Sequence, residues 1–221
     1  MLILALDISK ARTGAAFGQP SEAPTFESIV GRDLSNAEAV VRLGRWLIDL
    51  TRRHTIDLIV YEAMINPGAF LGEWNPERGK VELRTTPETT LCLAKLTGVV
   101  EFVAAMRSIP CKDLNLFTIR KAFLGEGKPK HPKEQACALC RILGWKPENL
   151  DEADAGAVWA YAAMLEDPAH AQVPTPMQQA KAASRANGAT IAGVPVRLDD
   201  LGQPHIDRET ARMLFQQRTG Q

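Results

Sequence analysis

Three segments near the start of the chain are apolar or alternate apolar with polar residues: Leu2 to Leu6, Thr13 to Phe17 and Thr25 to Val30. Polar turns separate them, so they read as the strands of a meander. From Asn36 to Arg53 the pattern changes period. Ala39, Val40, Leu43, Trp46, Leu47 and Leu50 recur at helical spacing, and Ser35 or Asn36 is placed to cap the start. The run DLIVYEA then predicts a buried strand, parallel to the first. Residues 66 to 86 carry prolines, glycines and charges without periodicity and predict a long loop. Apolar periodicity returns from about Pro87 to Met106 as a second helix, followed by a short strand near Leu114 to Phe117. Two further helices are expected, one from about Pro132 to Leu143 and one from about Asp151 to Leu165. This order of elements is that of an α/β protein, a mixed sheet covered by helices.

Past Pro168 the chain becomes rich in Gln, Ala, Ser and Pro, and the apolar period fades. The expected organisation is therefore one domain over residues 1–168 and an appended, partly flexible tail over 169–221, with a short terminal helix near Asp207 to Gln217. At 221 residues and 45% hydrophobic content the chain can bury one sizeable core. The opening MLILALD has no basic start and meets an acid at once, and no apolar run reaches the roughly 20 residues of a membrane span. The expectation is a cytoplasmic protein without a membrane partner. Cys137 and Cys140 form a C-x-x-C, but inside a helical pattern and without a matching second pair, which argues against zinc.

Both LILALD and LIVYE are continuous apolar runs that end on an acid, which puts Asp7 and Glu62 at the ends of buried strands. A carboxylate brought out of water needs a cation, hydrogen-bond donors or a raised pKa. If the two strands are parallel neighbours, their ends lie side by side and form a natural metal site. Each acid taken alone is better read as a strand end that merely meets solvent. The third element is DEADAGAVWAYAAM, in which Asp151 and Asp154 share a helix face and small residues would allow a close approach to a sheet. Taken alone, these acids are better read as capping the helix start and complementing its dipole. Together, four carboxylates are the ligand type magnesium prefers, and two such ions can activate water against a phosphodiester.

Lysines and arginines balance acids at 26 each, so a nucleic-acid surface must arise from local segregation of charge. Between Thr118 and Lys146 lie Arg120, Lys121, Lys128, Lys130, Lys133, Arg141 and Lys146, against Glu126 and Glu134. Such a cluster can neutralise phosphates, or it can be a solvated helix face.

The segments ILALDISKARTGAAFG, LIVYEA, LAKLTGVVEFVAAM, FTIRKAFLGEGKPKHPKEQACAL and DEADAGAVWAYA, in this order, resemble RuvC-type Holliday junction resolvases, a divergent or phage-like branch of them. The match runs from residue 1 to about 166. The resemblance implies a ribonuclease H-like fold with helices on both sheet faces, a homodimer, and paired nicks across a four-way junction. It also implies two magnesium ions per active site, with manganese as a substitute, held by Asp7, Glu62, Asp151 and Asp154. Candidate DNA contacts are Lys10, Arg12, Arg120, Lys121, Lys128, Lys130 and Lys133, with Phe70 and Trp74 as stacking partners for bases. The chain departs from the family in two places. Ile8-Ser9-Lys10 replaces the family's Pro-Gly-Ser after the first acid, and Met64 or Ile65 stands where the family carries an aromatic. Other readings are a non-catalytic junction-binding scaffold and a ribonuclease acting on RNA–DNA hybrids. The sugar kinase and actin type of ATPase also starts with a strand-end acid, but needs a second phosphate loop and about twice the length.

Overall fold

A computed structural model of the chain describes residues 1–63, 73–75, 80–82, 86–187, 190–191, 194–195, 197–198 and 204–205. Strands β1 (Ile3–Asp7), β2 (Arg12–Gly18) and β3 (Thr25–Val30) form the antiparallel meander. Helix α1 (Asn36–Arg53) then crosses to β4 (Leu58–Glu62), which pairs parallel to β1. A two-stranded ribbon, β5 (Glu73–Asn75) with β6 (Lys80–Glu82), precedes helix α2 (Pro87–Met106) and strand β7 (Cys111–Leu114), parallel to β4. The main sheet has the order β3-β2-β1-β4-β7. Helices α3 (Leu116–Leu124), α4 (Pro132–Ile142), α5 (Leu150–Glu166) and α6 (Pro176–Asn187) come after it in the chain.

Burial divides the sheet into two faces. Leu4, Leu6, Ile59 and Tyr61 pack with α1 and α2, whereas Ile3, Ala5, Leu58 and Val60 pack with α3, α4 and α5. Because side chains alternate along a strand, Asp7 and Glu62 continue the second set and face α5. Register then makes them neighbours, since Leu6 stands opposite Tyr61 in the parallel β1–β4 pair.

Helix α5 lies across this face, and its entry is possible because of one glycine. Gly14 pairs with Asp7 across β1 and β2. A Cβ at Gly14 would run into the carbonyl of Asp151 and lie 2.7 Å from the backbone nitrogen of Glu152. Within α5, Ala153, Ala155, Gly156 and Ala157 are buried and keep the helix close to the sheet.

Capping sets the helix starts. Ser35 accepts from the Glu38 backbone, and Glu38 reaches back to Ser35, a reciprocal capping box on α1. The expected strand near Leu114 to Phe117 is corrected: β7 ends at Leu114 and Leu116–Leu124 is helical. Asn115 accepts from the backbone of Phe117 and Thr118, which starts α3, and Gly125 at φ 88° ends it. The region after Pro168 contains α6, opened by a reciprocal pair between Thr175 and Gln178. Ala182 and Ala186 of α6 are buried, and Gln179 donates to the carbonyls of Ala122 and Phe123 at the end of α3. The expected helix at 207–217 lies outside the described residues.

Helix α2 is long and apolar enough to meet the length and composition of a membrane span. Cys92, Leu96, Val100 and Val103 dock it on the sheet, and Tyr61 donates to Glu101 at 2.6 Å. Its other face leaves Leu91, Phe102 and Met106 exposed, Phe102 to 66%.

Gly14→Ala should lower the unfolding free energy by about 3 kcal/mol or more, read as a fall in urea midpoint at unchanged slope, because backbone rather than a movable side chain occupies the space the methyl would need.

Candidate active site

The sheet brings Asp7 and Glu62 together at the carboxyl ends of β1 and β4, and the first turns of α5 bring Asp151 and Asp154 to the same place. Helix α4 supplies the fifth member. Its Lys133 Nζ lies 2.6 Å from Asp151 Oδ1, 3.2 Å from Asp154 Oδ2 and 3.3 Å from Asp7 Oδ2. The side chains of Asp7 and Asp154 are 14% and 17% exposed, so these charges have little water to share.

Electrostatics reflect that crowding. Burial pushes the Glu62 carboxyl up to about 7, helped by the neighbouring charges of Asp7 and Asp154 and opposed by Arg120 and Lys133. Burial and the charge of Asp7 likewise hold Asp154 above the ordinary aspartate range. Asp7 is raised by burial, then lowered in part by Lys133 and raised again by Asp151. Burial works against the Lys133 ammonium, but Asp7, Asp154 and Asp151 together outweigh it and hold its pKa above normal.

The alternative role for the α5 acids, capping, is taken by other residues. Asn149 is the N-cap and accepts from the Glu152 backbone at 3.0 Å. Buried Glu152 answers by accepting from Asn149 Nδ2 at 2.8 Å and from the Glu148 backbone at 2.7 Å. The N-x-x-E spacing is the sequence signal for this cap and its acidic partner. Asp151 and Asp154 are thereby left to the cluster.

The donor set is all carboxylate oxygen, the chemistry of a hard divalent cation. Among the described residues, no three His, Cys, Asp or Glu side chains are already gathered as a metal site. A cation does stand among the acids, and it is the ammonium of Lys133. The residues thus fit a divalent ion in charge and ligand type, with Lys133 between them as they stand.

The remaining candidates divide. Arg120 is near enough to favour the ionised forms of Asp7, Glu62 and Asp154. Lys121, Lys128 and Lys130 are exposed, with Lys128 Nζ 5.5 Å from the centre of the Phe117 ring. Lys10 and Arg12 flank the β1–β2 turn, where glycine proves unnecessary. Ser9 Oγ donates to the Arg12 carbonyl at 2.8 Å and Thr13 Oγ1 to the Ser9 carbonyl at 3.0 Å, so side chains close the turn. Phe70, Met64 and Ile65 lie outside the described residues, and Trp74 is described as a strand position opposite Val81. Sequence reasoning grouped Lys133 with the phosphate-binding lysines. Nothing in its local pattern distinguishes it from Lys130, since its carboxylate partners come from β1 and α5.

No family model and no curated protein matches the chain. Among solved structures, the chain is similar to Thermus thermophilus RuvC, at 17% identity and a TM-score of 0.55, covering 75% of this chain and 95% of that one. It is also similar to T. thermophilus RuvC in complex with a Holliday junction substrate, at 15% identity and a TM-score of 0.56, covering 79% and 99%. At these identities the likeness shows the fold, the ribonuclease H-like α/β architecture with helices on both faces of the sheet.

Glu62→Gln should raise the thermal midpoint in chelator at pH 8. The folded carboxyl binds its proton more tightly than the unfolded one, so wild-type stability falls as pH rises from about 4.5 to about 7. The amide removes that loss, worth about 1–3 kcal/mol, and the difference between the two proteins should close at pH 4, as followed by calorimetry.

Proposed function

We propose that the protein is a magnesium-dependent, structure-selective endodeoxyribonuclease that resolves Holliday junctions or related branched DNA, working in the cytoplasm. The observation that carries this reading is the convergence of Asp7, Glu62, Asp151 and Asp154, partly buried, with three of them in contact with the Lys133 ammonium. The fold it shares with a RuvC structure solved on a junction supports the choice of substrate. In this reading the attacking nucleophile is water.

Divalent ions bound there, two per site, would lower the pKa of that water and stabilise the leaving oxygen. The four carboxylates do the holding. Their desolvation raises the free energy of the metal-free site and so strengthens its demand for cations. Arg120 adds positive charge at the edge of the cluster, where a scissile phosphate would arrive. Lys121, Lys128 and Lys130, together with Lys10 and Arg12 at the β1–β2 turn, are assigned to the flanking phosphates, and Phe70 and Trp74 to unpaired bases.

Paired nicks need two sites, and a homodimer supplies them. The exposed face of α2, with Leu91, Phe102 and Met106, is the apolar surface that supports this assembly.

Asp7→Asn should abolish cleavage of a labelled four-way junction in magnesium while leaving its mobility-shift binding intact; nicking at the wild-type rate would remove Asp7 from the mechanism. Tight junction binding by the wild type without any cut would instead indicate the scaffold, and cleavage confined to an RNA–DNA hybrid would indicate the ribonuclease. Lys128→Ala with Lys130→Ala should weaken junction binding and reduce the slope of log affinity against log salt by about 2, as expected for two lost phosphate contacts.

A further inference from the structure

Lys133 sits at an unfavourable place for a cation. It is the second residue of α4, after Pro132, where the helix presents its positive end and the His131 cap makes no side-chain hydrogen bond. Desolvation opposes its charge as well. Three carboxylates from two other elements overcome both effects. An ammonium has three donors, and here they face one oxygen each from Asp7, Asp151 and Asp154, at 3.3, 2.6 and 3.2 Å. The side chain is nevertheless 41% exposed, so its flexible four-carbon stem has solvent beside it to withdraw into.

The arrival of a divalent ion changes the balance of charge. Four ionised acids carry a formal charge of four negatives, which one ammonium leaves mostly uncompensated. Two divalent cations would balance them without Lys133, and would repel an ammonium seated on the same carboxylates. Carboxylate oxygens also favour a hard divalent ion over a hydrogen-bonding monovalent one.

We infer that Lys133 is a resident counter-cation of the metal-free site, seated among Asp7, Asp151 and Asp154 and displaced into solvent when a divalent ion binds. The inference rests on the reading that these acids hold such an ion. It makes the site an exchange device: Asp7, Asp151 and Asp154 keep a cation partner in either state, and metal binding is coupled to the movement of a side chain in the first turn of α4. Lys133 therefore competes with the metal as well as stabilising the fold that waits for it.

The test uses the full-length wild-type chain. Its amines are reductively methylated in chelator and in saturating magnesium or manganese, and labelling at each lysine is read by peptide mass spectrometry. Lys112 is the internal control, since it pairs with Glu166 at 2.6 Å at the opposite end of α5. Lys133 should label several-fold faster with metal, because its amine leaves the three carboxylates for solvent, while Lys112 stays unchanged. In parallel, calorimetric titration at pH 8.5 should show Lys133→Gln binding manganese more tightly than the wild type. Metal binding by the wild type with unchanged Lys133 labelling would overturn the inference. So would weaker manganese binding by a folded Lys133→Gln, which would make the lysine a support of the metal site rather than its competitor. Absence of binding heat in both proteins would overturn the metal reading itself, and the inference with it.

Discussion

Four carboxylates forced into one poorly hydrated place repel one another, and the structure around them is arranged to bring them together and then to tolerate the result. Asp7 and Glu62 arrive by strand parity and register, with Leu6 opposite Tyr61 and both acids on the α5 side of the sheet. Asp151 and Asp154 arrive because α5 can descend onto β2, and that descent depends on the missing side chain of Gly14. Small residues along α5 extend the same close approach over the next turns. A larger residue at any of these contacts would lift the helix and separate its acids from those on the strands.

Tolerance comes from a division of labour among charged residues that look alike in sequence. Glu152 lies between Asp151 and Asp154, yet it is buried and committed to the Asn149 cap, so its charge is satisfied by backbone and amide donors. The two aspartates are then free of structural duty. Lys133 and Arg120 supply positive charge from a different side, one in contact and one through space. The result is a site in which burial and the charges of Asp7 and Asp154 hold the Glu62 carboxyl above its ordinary range.

The helices beyond the sheet serve the same centre. Helix α3 carries Arg120, α4 carries Lys133, and both are braced from outside by α6, whose Gln179 satisfies the last carbonyls of α3. Buried Ala182 and Ala186 make α6 part of the cover over this layer, and Trp145 after α4 bonds to Gln172 before α6. The segment after Pro168 is thus connected to the site through the helices it covers.

Much of this was legible in the sequence, because strands, helices and caps depend on neighbours a few residues away. The runs ending at Asp7 and Glu62, the period of α1 and α2, the reciprocal cap at Ser35 and the three-residue spacing of Asp151 and Asp154 are all local patterns. Helices α3 and α6 were written there too, in Asn115 with Gly125 and in Thr175 with Gln178, but their short apolar content left the period ambiguous. What tertiary structure decided is what depends on contact between distant segments. Which face of β1 carries Asp7, why residue 14 must lack a Cβ, and that Lys133 rather than Lys130 enters the acidic cluster are all set by where β1, β2, α4 and α5 meet. A side chain's charge is a property of its residue, but the field acting on it is made by residues up to 126 positions away, as for Lys133 and Asp7.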